Sequence, residues 1–165
     1  MASSASKILA AGSVLFGGLL AGVTVHRALV QLPAWQRVGV LPWAYFTRAE
    51  NSGIGAIFYP VLGLAALLLT ISTAVAYKFG RAQRFASSVP VYASASVAIV
   101  WAVVTRIVLV PALYALNTAE DDVTKLRQIF EAVRLGSAVN DILHVVAFVL
   151  SLWALIALCS NSNER

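Results

Sequence analysis

The chain has few charged residues and a single cysteine, and both shortages limit the folds and functions that it can have. Asp, Glu, Lys and Arg together make up 12% of the 165 residues, whereas roughly a quarter is usual in a soluble domain. Cys159 has no second cysteine with which to form an intrachain disulfide or a cysteine-based zinc site. The sequence therefore predicts neither a soluble domain nor a module held together by disulfides or zinc.

The chain also lacks the short motifs of several common enzyme classes. It has no G-x-S-x-G nucleophile motif, no glycine-rich phosphate loop and no N-x-[ST] glycosylation acceptor. The net charge is +5, but the basic residues are scattered and form no stripe interleaved with aromatic residues. A nucleic-acid partner is therefore not predicted, and neither is hydride or phosphate chemistry.

Long apolar runs are abundant instead, because 60% of the residues are hydrophobic. Four runs are each long enough to cross a bilayer as a helix, which takes ~20 residues: approximately 8–30, 53–77, 90–116 and 135–159. We expect an all-α, integral membrane four-helix bundle that forms a single domain over residues 1–165. The charged segment from Asn117 to Arg134 has apolar residues at helical spacing, which predicts a short amphipathic interfacial helix between spans three and four.

The fourth span carries three polar side chains within five positions. Asn140 and His144 are four residues apart and Asp141 and His144 are three apart, so all three fall on one side of the helix. Ionisable residues inside an apolar span are costly, and they indicate a functional site by default. We expect this side of the span to face other helices, with a neutral His144 that accepts protons.

Other polar residues lie at similar depths in the remaining spans. At 1.5 Å per residue, His26 in span one, Tyr59 in span two and Arg106 in span three lie roughly 6 to 12 Å from the membrane face nearest to Asp141 and His144. The other half of the bilayer is nearly pure Leu, Ala, Val and Ile. We therefore expect the polar groups of all four spans to converge in one chamber.

The first loop, from Pro33 to Ser52, combines aromatic residues with arginines. Such residues are typical of the membrane–water interface, but the loop also has the composition of a lid over a pocket. In that interpretation Trp43 and Tyr45 contact the substrate, together with Tyr59 and Thr105 from the spans.

Each polar residue also has a plainer interpretation. Arg106 and Asp141 can cancel two buried charges in a structural bridge, and His26 can contact lipid headgroups. His26, His144 and Asp141 are chemically suitable metal ligands, although no metal-binding spacing lies within one helix. The glycines of span one have small-xxx-small spacing and offer a face for a homo-oligomer.

Three segments carry a resemblance to a known family: Ala21-Gly22 with Leu32-Pro33, then Thr105-Arg106 with Pro111 and Asn117, and finally Arg134, Asn140 and His144 before a Leu/Ala-rich finish. The layout resembles the anthrone oxygenase-like family of four-span integral membrane proteins, many of them fungal pathway enzymes. The resemblance implies that a hydrophobic polycyclic phenol, such as an anthrone, is oxidised to an anthraquinone without a bound organic cofactor. We expect a multi-pass integral membrane protein, which in a eukaryotic cell would reside in the endoplasmic reticulum or another endomembrane.

A mechanism follows as a hypothesis, with five residues assigned to the chemistry: His144, Asp141, Arg106, Asn140 and His26. His144, oriented by Asp141, removes a proton from the activated carbon. Arg106, Asn140 and Tyr59 stabilise the enolate oxygen in a site of low dielectric constant, and His26 assists proton transfer. The electron-rich carbanion then reduces dioxygen itself.

Two other functions fit the same residues. An isomerase or cyclase of a secondary-metabolite pathway would use the same acid–base pair without consuming oxygen. In a non-catalytic membrane subunit or transporter, the polar residues would only bridge helices, and no ligand-sized cavity would be present.

Overall fold

The computed structural model describes residues 4–80 and 88–160, and within these ranges the chain is helical without any strand. The seven α-helices of the described residues are α1 (Ser4–His26), α2 (Leu32–Val38), α3 (Val40–Ser52), α4 (Gly55–Phe79), α5 (Val89–Val104), α6 (Val110–Thr118) and α7 (Val123–Ser160). Two five-residue π-helical segments, Arg27–Gln31 and Thr105–Leu109, connect α1 to α2 and α5 to α6 without interrupting the helical path.

Four continuous helical stretches are long and apolar enough to cross a membrane: Ser4–Val38, Gly55–Phe79, Val89–Thr118 and Val123–Ser160. Large apolar side chains such as Leu29, Ile57 and Ile107 are exposed on the outside of the bundle, as expected for helices surrounded by lipid tails. The prediction of an all-α four-helix bundle is confirmed, and its four apolar helices indicate a multi-pass membrane protein.

The four spans form a ring in which α1 and α5 each pack against α4 and α7. Buried residues recur along each span in steps of three and four, which keeps one side of a helix turned toward its neighbours. They include Ser6, Ala10, Ser13, Leu20 and Thr24 on α1, Ala66, Thr70, Thr73 and Tyr77 on α4, Val91, Ser94, Ala98 and Trp101 on α5, and Asn140, His144, Ser151, Ala154 and Leu158 on α7. Most of these residues are small, so the helices approach closely.

The segment expected to be a loop between the first two spans is helical. We call α2 and α3 together the cap; they meet at Gly39, whose φ of 95° is a left-handed conformation that glycine adopts without strain. Trp43 is buried and packs edge-on against Phe130 of α7, with ring centroids 5.0 Å apart. Apolar contacts with α6 and α7 stabilise the cap, and a loop exposed to water would not supply them.

The predicted separate interfacial helix is not confirmed, because α7 runs unbroken for 38 residues from Val123. The carboxylate of Asp122 accepts hydrogen bonds from the backbone N–H groups of Thr124 and Lys125, which caps the start of the helix. Leu126 and Phe130 then pack into the cap cluster rather than onto a membrane surface. Residues 123–134 of the charged segment are therefore the first three turns of the fourth span.

Candidate functional site

The three polar residues of the fourth span face the interior of the bundle. Asn140, Asp141 and His144 are only 3%, 8% and 8% exposed, respectively. They lie on the buried side of α7, which packs against α1 and α5. Their partners from other spans are Arg27 and Thr105, which begin the two π-helical segments, and Trp101 of α5.

Asp141 forms an ion pair with Arg27, which opens the first π-helical segment. The predicted partner Arg106 is exposed, so the proposed Arg106–Asp141 bridge is wrong. The reason is helical phase: Arg27 follows Leu20 and Thr24 on the buried side of span one, in steps of four and three. Arg106 stands one position after Thr105 and is therefore rotated by about 100° away from the interior.

Two residues of span three hold the side chain of His144. The indole of Trp101 lies against the imidazole, with ring centroids 4.6 Å apart and planes inclined by 49°. The Asn140 amide is 3.4 Å from His144 Nδ1 on one side and 2.7 Å from Thr105 Oγ1 on the other. Thr105 Oγ1 is in turn 2.8 Å from the carbonyl oxygen of Trp101. A chain of polar contacts thus runs from the backbone of α5 to the imidazole.

The number of donors in this series of polar contacts favours one orientation of the Asn140 side-chain amide. With Oδ1 toward Thr105, as the structure has it, the single hydroxyl proton faces two acceptors, Oδ1 and the Trp101 carbonyl. A 180° turn of the amide exchanges its oxygen and nitrogen in nearly the same positions. After this turn, Asn140 Nδ2 donates to Thr105 Oγ1, and the Thr105 hydroxyl donates to the carbonyl oxygen of Trp101. His144 Nδ1–H then donates to Asn140 Oδ1. Each donor now has its own acceptor, and Nε2 of the imidazole carries the lone pair.

His144 Nε2 is buried and has no hydrogen-bond partner. The same is true of Arg27 Nε, on the residue that pairs with Asp141. A buried polar atom without a partner is unusual and costs free energy. Arg27 Nε is therefore an unsatisfied donor, and His144 Nε2, with the amide turned as above, an unsatisfied acceptor.

A cavity with a volume of ≈ 20 Å³ lies beside His144 on the side away from Asp141. The residues that line it are Ser13, Gly17, Leu20, Ala66, Thr70, Ala98, Trp101, His144, Ala147, Phe148 and Ser151. Ser13 Oγ is 2.7 Å from Thr70 Oγ1 and 3.3 Å from Ser151 Oγ, so three spans are joined by hydroxyl contacts there. The expectation that this half of the bundle is nearly pure hydrocarbon is therefore wrong.

Comparison with known proteins found no matching family model, no matching curated protein and no matching solved structure. The interpretation of the site depends on its own geometry.

The remaining predicted site residues lie elsewhere. His26 is exposed on the outside of α1, and Tyr59 is bonded to Glu50 of the cap at 3.0 Å. Trp43 is buried in the cap cluster, and Tyr45 points to Asp121 before α7. Among residues 4–80 and 88–160, no group of three or more His, Cys, Asp or Glu side chains is arranged to hold a metal ion.

Tyr45, Arg48 and Asp121 fasten the cap to the turn before α7. Tyr45 donates a 2.5 Å hydrogen bond to Asp121, and Arg48 contacts the same carboxylate at 3.1 Å while donating to the carbonyl oxygens of Leu116 and Glu120. The hydrogen bonds from Tyr45 and Arg48 lower the pKa of Asp121 from its usual value. The same hydrogen bond and the negative charge of Asp121 raise the pKa of Tyr45.

Proposed function

We propose that this protein is a membrane-embedded oxygenase that acts on a hydrophobic polycyclic phenol of the anthrone type. The observation that carries the proposal is His144: a histidine buried within apolar spans, held against Trp101 and Asn140, with an unpartnered Nε2. An imidazole in this setting favours its neutral form and serves as a general base. The resemblance of the chain to anthrone oxygenase-like proteins supports the same chemistry.

In this proposal His144 takes a proton from the methylene carbon between the two aromatic rings of the substrate. The resulting enolate is electron-rich and transfers electrons to dioxygen, which forms a carbon–oxygen bond and gives a hydroperoxide. Loss of water from the hydroperoxide breaks the O–O bond and yields the quinone. One anthrone and one dioxygen thus become one anthraquinone and one water, and the protein supplies the base, the position and a dry environment.

Arg27 replaces Arg106 as the group that stabilises the enolate oxygen. Its Nε is buried and unpartnered, while another nitrogen of the guanidinium holds Asp141. A fixed N–H donor at a developing oxyanion is among the strongest catalytic effects, about 3 kcal/mol for one donor. Because the Arg27 side chain is 30% exposed, a substrate entering from the lipid side can reach it.

A polycyclic phenol is far larger than the ≈ 20 Å³ cavity, so substrate binding requires the bundle to open. The two π-helical segments, Arg27–Gln31 and Thr105–Leu109, begin beside the ion pair and the polar chain. Segments of π-helix are frequent at functional sites. We propose that the bundle opens at these segments when the substrate enters from the surrounding endomembrane.

The test is turnover by the full-length protein in lipid nanodiscs with an anthrone as substrate. We expect one quinone per dioxygen consumed, and we expect His144→Ala to lower the rate at least ~100-fold through loss of the general base. The matched control is His26→Ala, which removes the exposed histidine and leaves the rate unchanged. Equal rates for His144→Ala and the wild-type protein would overturn the proposal.

A non-catalytic membrane subunit is the second candidate, because the cavity is too small for a drug-sized ligand, whose pockets are roughly 300–1,000 Å³. In that case Arg27, Asp141 and Asn140 serve only to join helices. The assay above separates the two functions, since a structural subunit forms no quinone. Product formed without oxygen consumption would instead indicate an isomerase or cyclase.

A further inference from the structure

The cavity beside His144 has no role in the substrate-binding step just described. It lies on the far side of the imidazole from the Arg27–Asp141 pair, where residues 147, 148 and 151 follow His144 along α7. We call it the inner cavity. Its volume of ≈ 20 Å³ is enough for one water molecule or one diatomic gas.

The lining of the inner cavity suits an apolar occupant better than water. A buried water molecule needs two to four polar partners, but the hydroxyls of Ser13 and Thr70 contact each other, and Thr70 also reaches the carbonyl oxygen of Ala66 at 2.7 Å. The imidazole Nε2 of His144 is buried out of reach of a water-sized probe. Ser151 Oγ accepts a hydrogen bond from Ser13 Oγ at 3.3 Å, so all three hydroxyls of the wall are engaged with protein groups. Apart from these hydroxyls and His144, the wall is glycine, alanine, leucine and aromatic carbon.

We propose that the inner cavity is the dioxygen-binding site of this protein. The inference rests on the proposed oxygenase function and adds to it the site where the second substrate, dioxygen, binds before it reacts. With dioxygen in the inner cavity and the phenol at Arg27, His144 stands between the two reactants. Dioxygen in the inner cavity would then be separated from the carbanion only by the imidazole that generates it.

Dissolved dioxygen is itself the probe, because it is paramagnetic and broadens nearby methyl signals. The experiment records methyl spectra of alanine-labelled full-length protein in nanodiscs under dioxygen and under nitrogen. We expect Ala66, Ala98 and Ala147, which line the inner cavity, to broaden more than lipid-exposed Ala11 and more than Ala44, which is buried in the cap. Broadening of the three cavity methyls no greater than that of Ala44 would overturn the proposal.

Two glycines of α1 provide a matched pair of variants. A Cβ atom at Gly17 would meet only Phe148, at 4.0 Å, so Gly17→Ala fits the fold and places its methyl group in the cavity wall. A Cβ atom at Gly22 has no neighbour within 4 Å, so Gly22→Ala makes the same change away from the cavity. We expect Gly17→Ala to abolish the excess broadening and Gly22→Ala to preserve it.

A second experiment on the same variants measures KM for dioxygen and KM for the anthrone separately. Gly17→Ala should raise KM for dioxygen by about tenfold, the usual effect of one methyl group in a small pocket, and leave KM for the anthrone unchanged. An unchanged KM for dioxygen would overturn the assignment of the cavity. The methyl broadening needs no turnover, so oxygen in the cavity of a protein that forms no quinone would refute the proposed function and leave the gas site standing.

Discussion

At the scale of single residues, the tautomer of His144 decides whether it can act as a base. The hydrogen-bond chain from Thr105 through Asn140 favours the proton on Nδ1 and the lone pair on Nε2. We expect nitrogen-15 spectra of histidine-labelled protein to show an unprotonated Nε2 for one of the two histidines. That signal should be lost in His144→Gln and kept in His26→Gln. A proton found on Nε2 would remove His144 as the base and reverse the amide orientation argued above.

The Arg27–Asp141 pair should show an asymmetric response to mutation. Arg27→Gln leaves a carboxylate that is 8% exposed without its counter-charge, and we expect it to lower the free energy of unfolding by about 3 kcal/mol. Asp141→Asn should cost less, because the long Arg27 side chain is already partly exposed and can turn toward the surface. Unfolding of the single variants and the double variant in detergent measures the coupling between the two residues. Additive effects would show that the pair contributes no coupling free energy.

At the scale of helices, the steps of three and four explain why some site residues were predictable and others were not. Asn140, Asp141 and His144 could be found because three polar residues on one helix side are conspicuous in an apolar run. Arg27 was not predicted, because the sequence favoured the adjacent His26 as the site residue. The buried residues Leu20 and Thr24 are followed after three more positions by Arg27, so this spacing favours Arg27 over His26. The same spacing, applied to span three, selects Thr105 and excludes Arg106.

The cap and the start of α7 were harder to predict, because the deciding contacts are between distant segments. Residues 33–52 carry turn and interface signals, but they form helices whose Trp43 is buried in an apolar cluster with Leu126 and Phe130. Tertiary packing of this kind overrides local propensity. Nothing within either segment alone indicates its partner.

The attachment of the cap should respond to pH in two opposite directions. The pKa of Asp121 is lowered, so its contribution is present above the unfolded value of 3.8 and is lost as the pH falls through the folded value below it. The pKa of Tyr45 is raised, so its contribution is present below the unfolded value of 10.0 and is lost as the pH rises through the folded value above it. Hydrogen-exchange protection factors of α3 amides should therefore fall at both extremes. Tyr45→Phe should remove the alkaline loss, and an unaltered alkaline loss in that variant would contradict the assignment.

At the scale of the whole molecule, the fold class was predictable because membrane spans are encoded in length and composition alone. A membrane span needs its backbone hydrogen bonds satisfied within the helix and its surface apolar. Both conditions can be recognised in the sequence before it is known which helices contact each other. The ring order of the spans and the size of the cavities depend on side-chain packing. These features determine the geometry of the candidate site, and they are not visible in the sequence.

An even number of spans places both ends of the bundle on one membrane face and the cap on the other. The connection from Lys78 to Ser88 is short and contains Lys78, Arg81 and Arg84 without an acidic residue. From the rule that basic loops stay inside, we predict that this face is cytosolic. Cys159, exposed at the end of α7, is a natural reporter because it is the single cysteine. In sealed vesicles with the cytosolic side outward, a membrane-impermeant maleimide should label Cys159 in the wild-type protein. Cys159→Ser combined with Ser52→Cys should move the label to the opposite side of the membrane and require permeabilisation. The reverse pattern would invert the topology and place the cap on the cytosolic face.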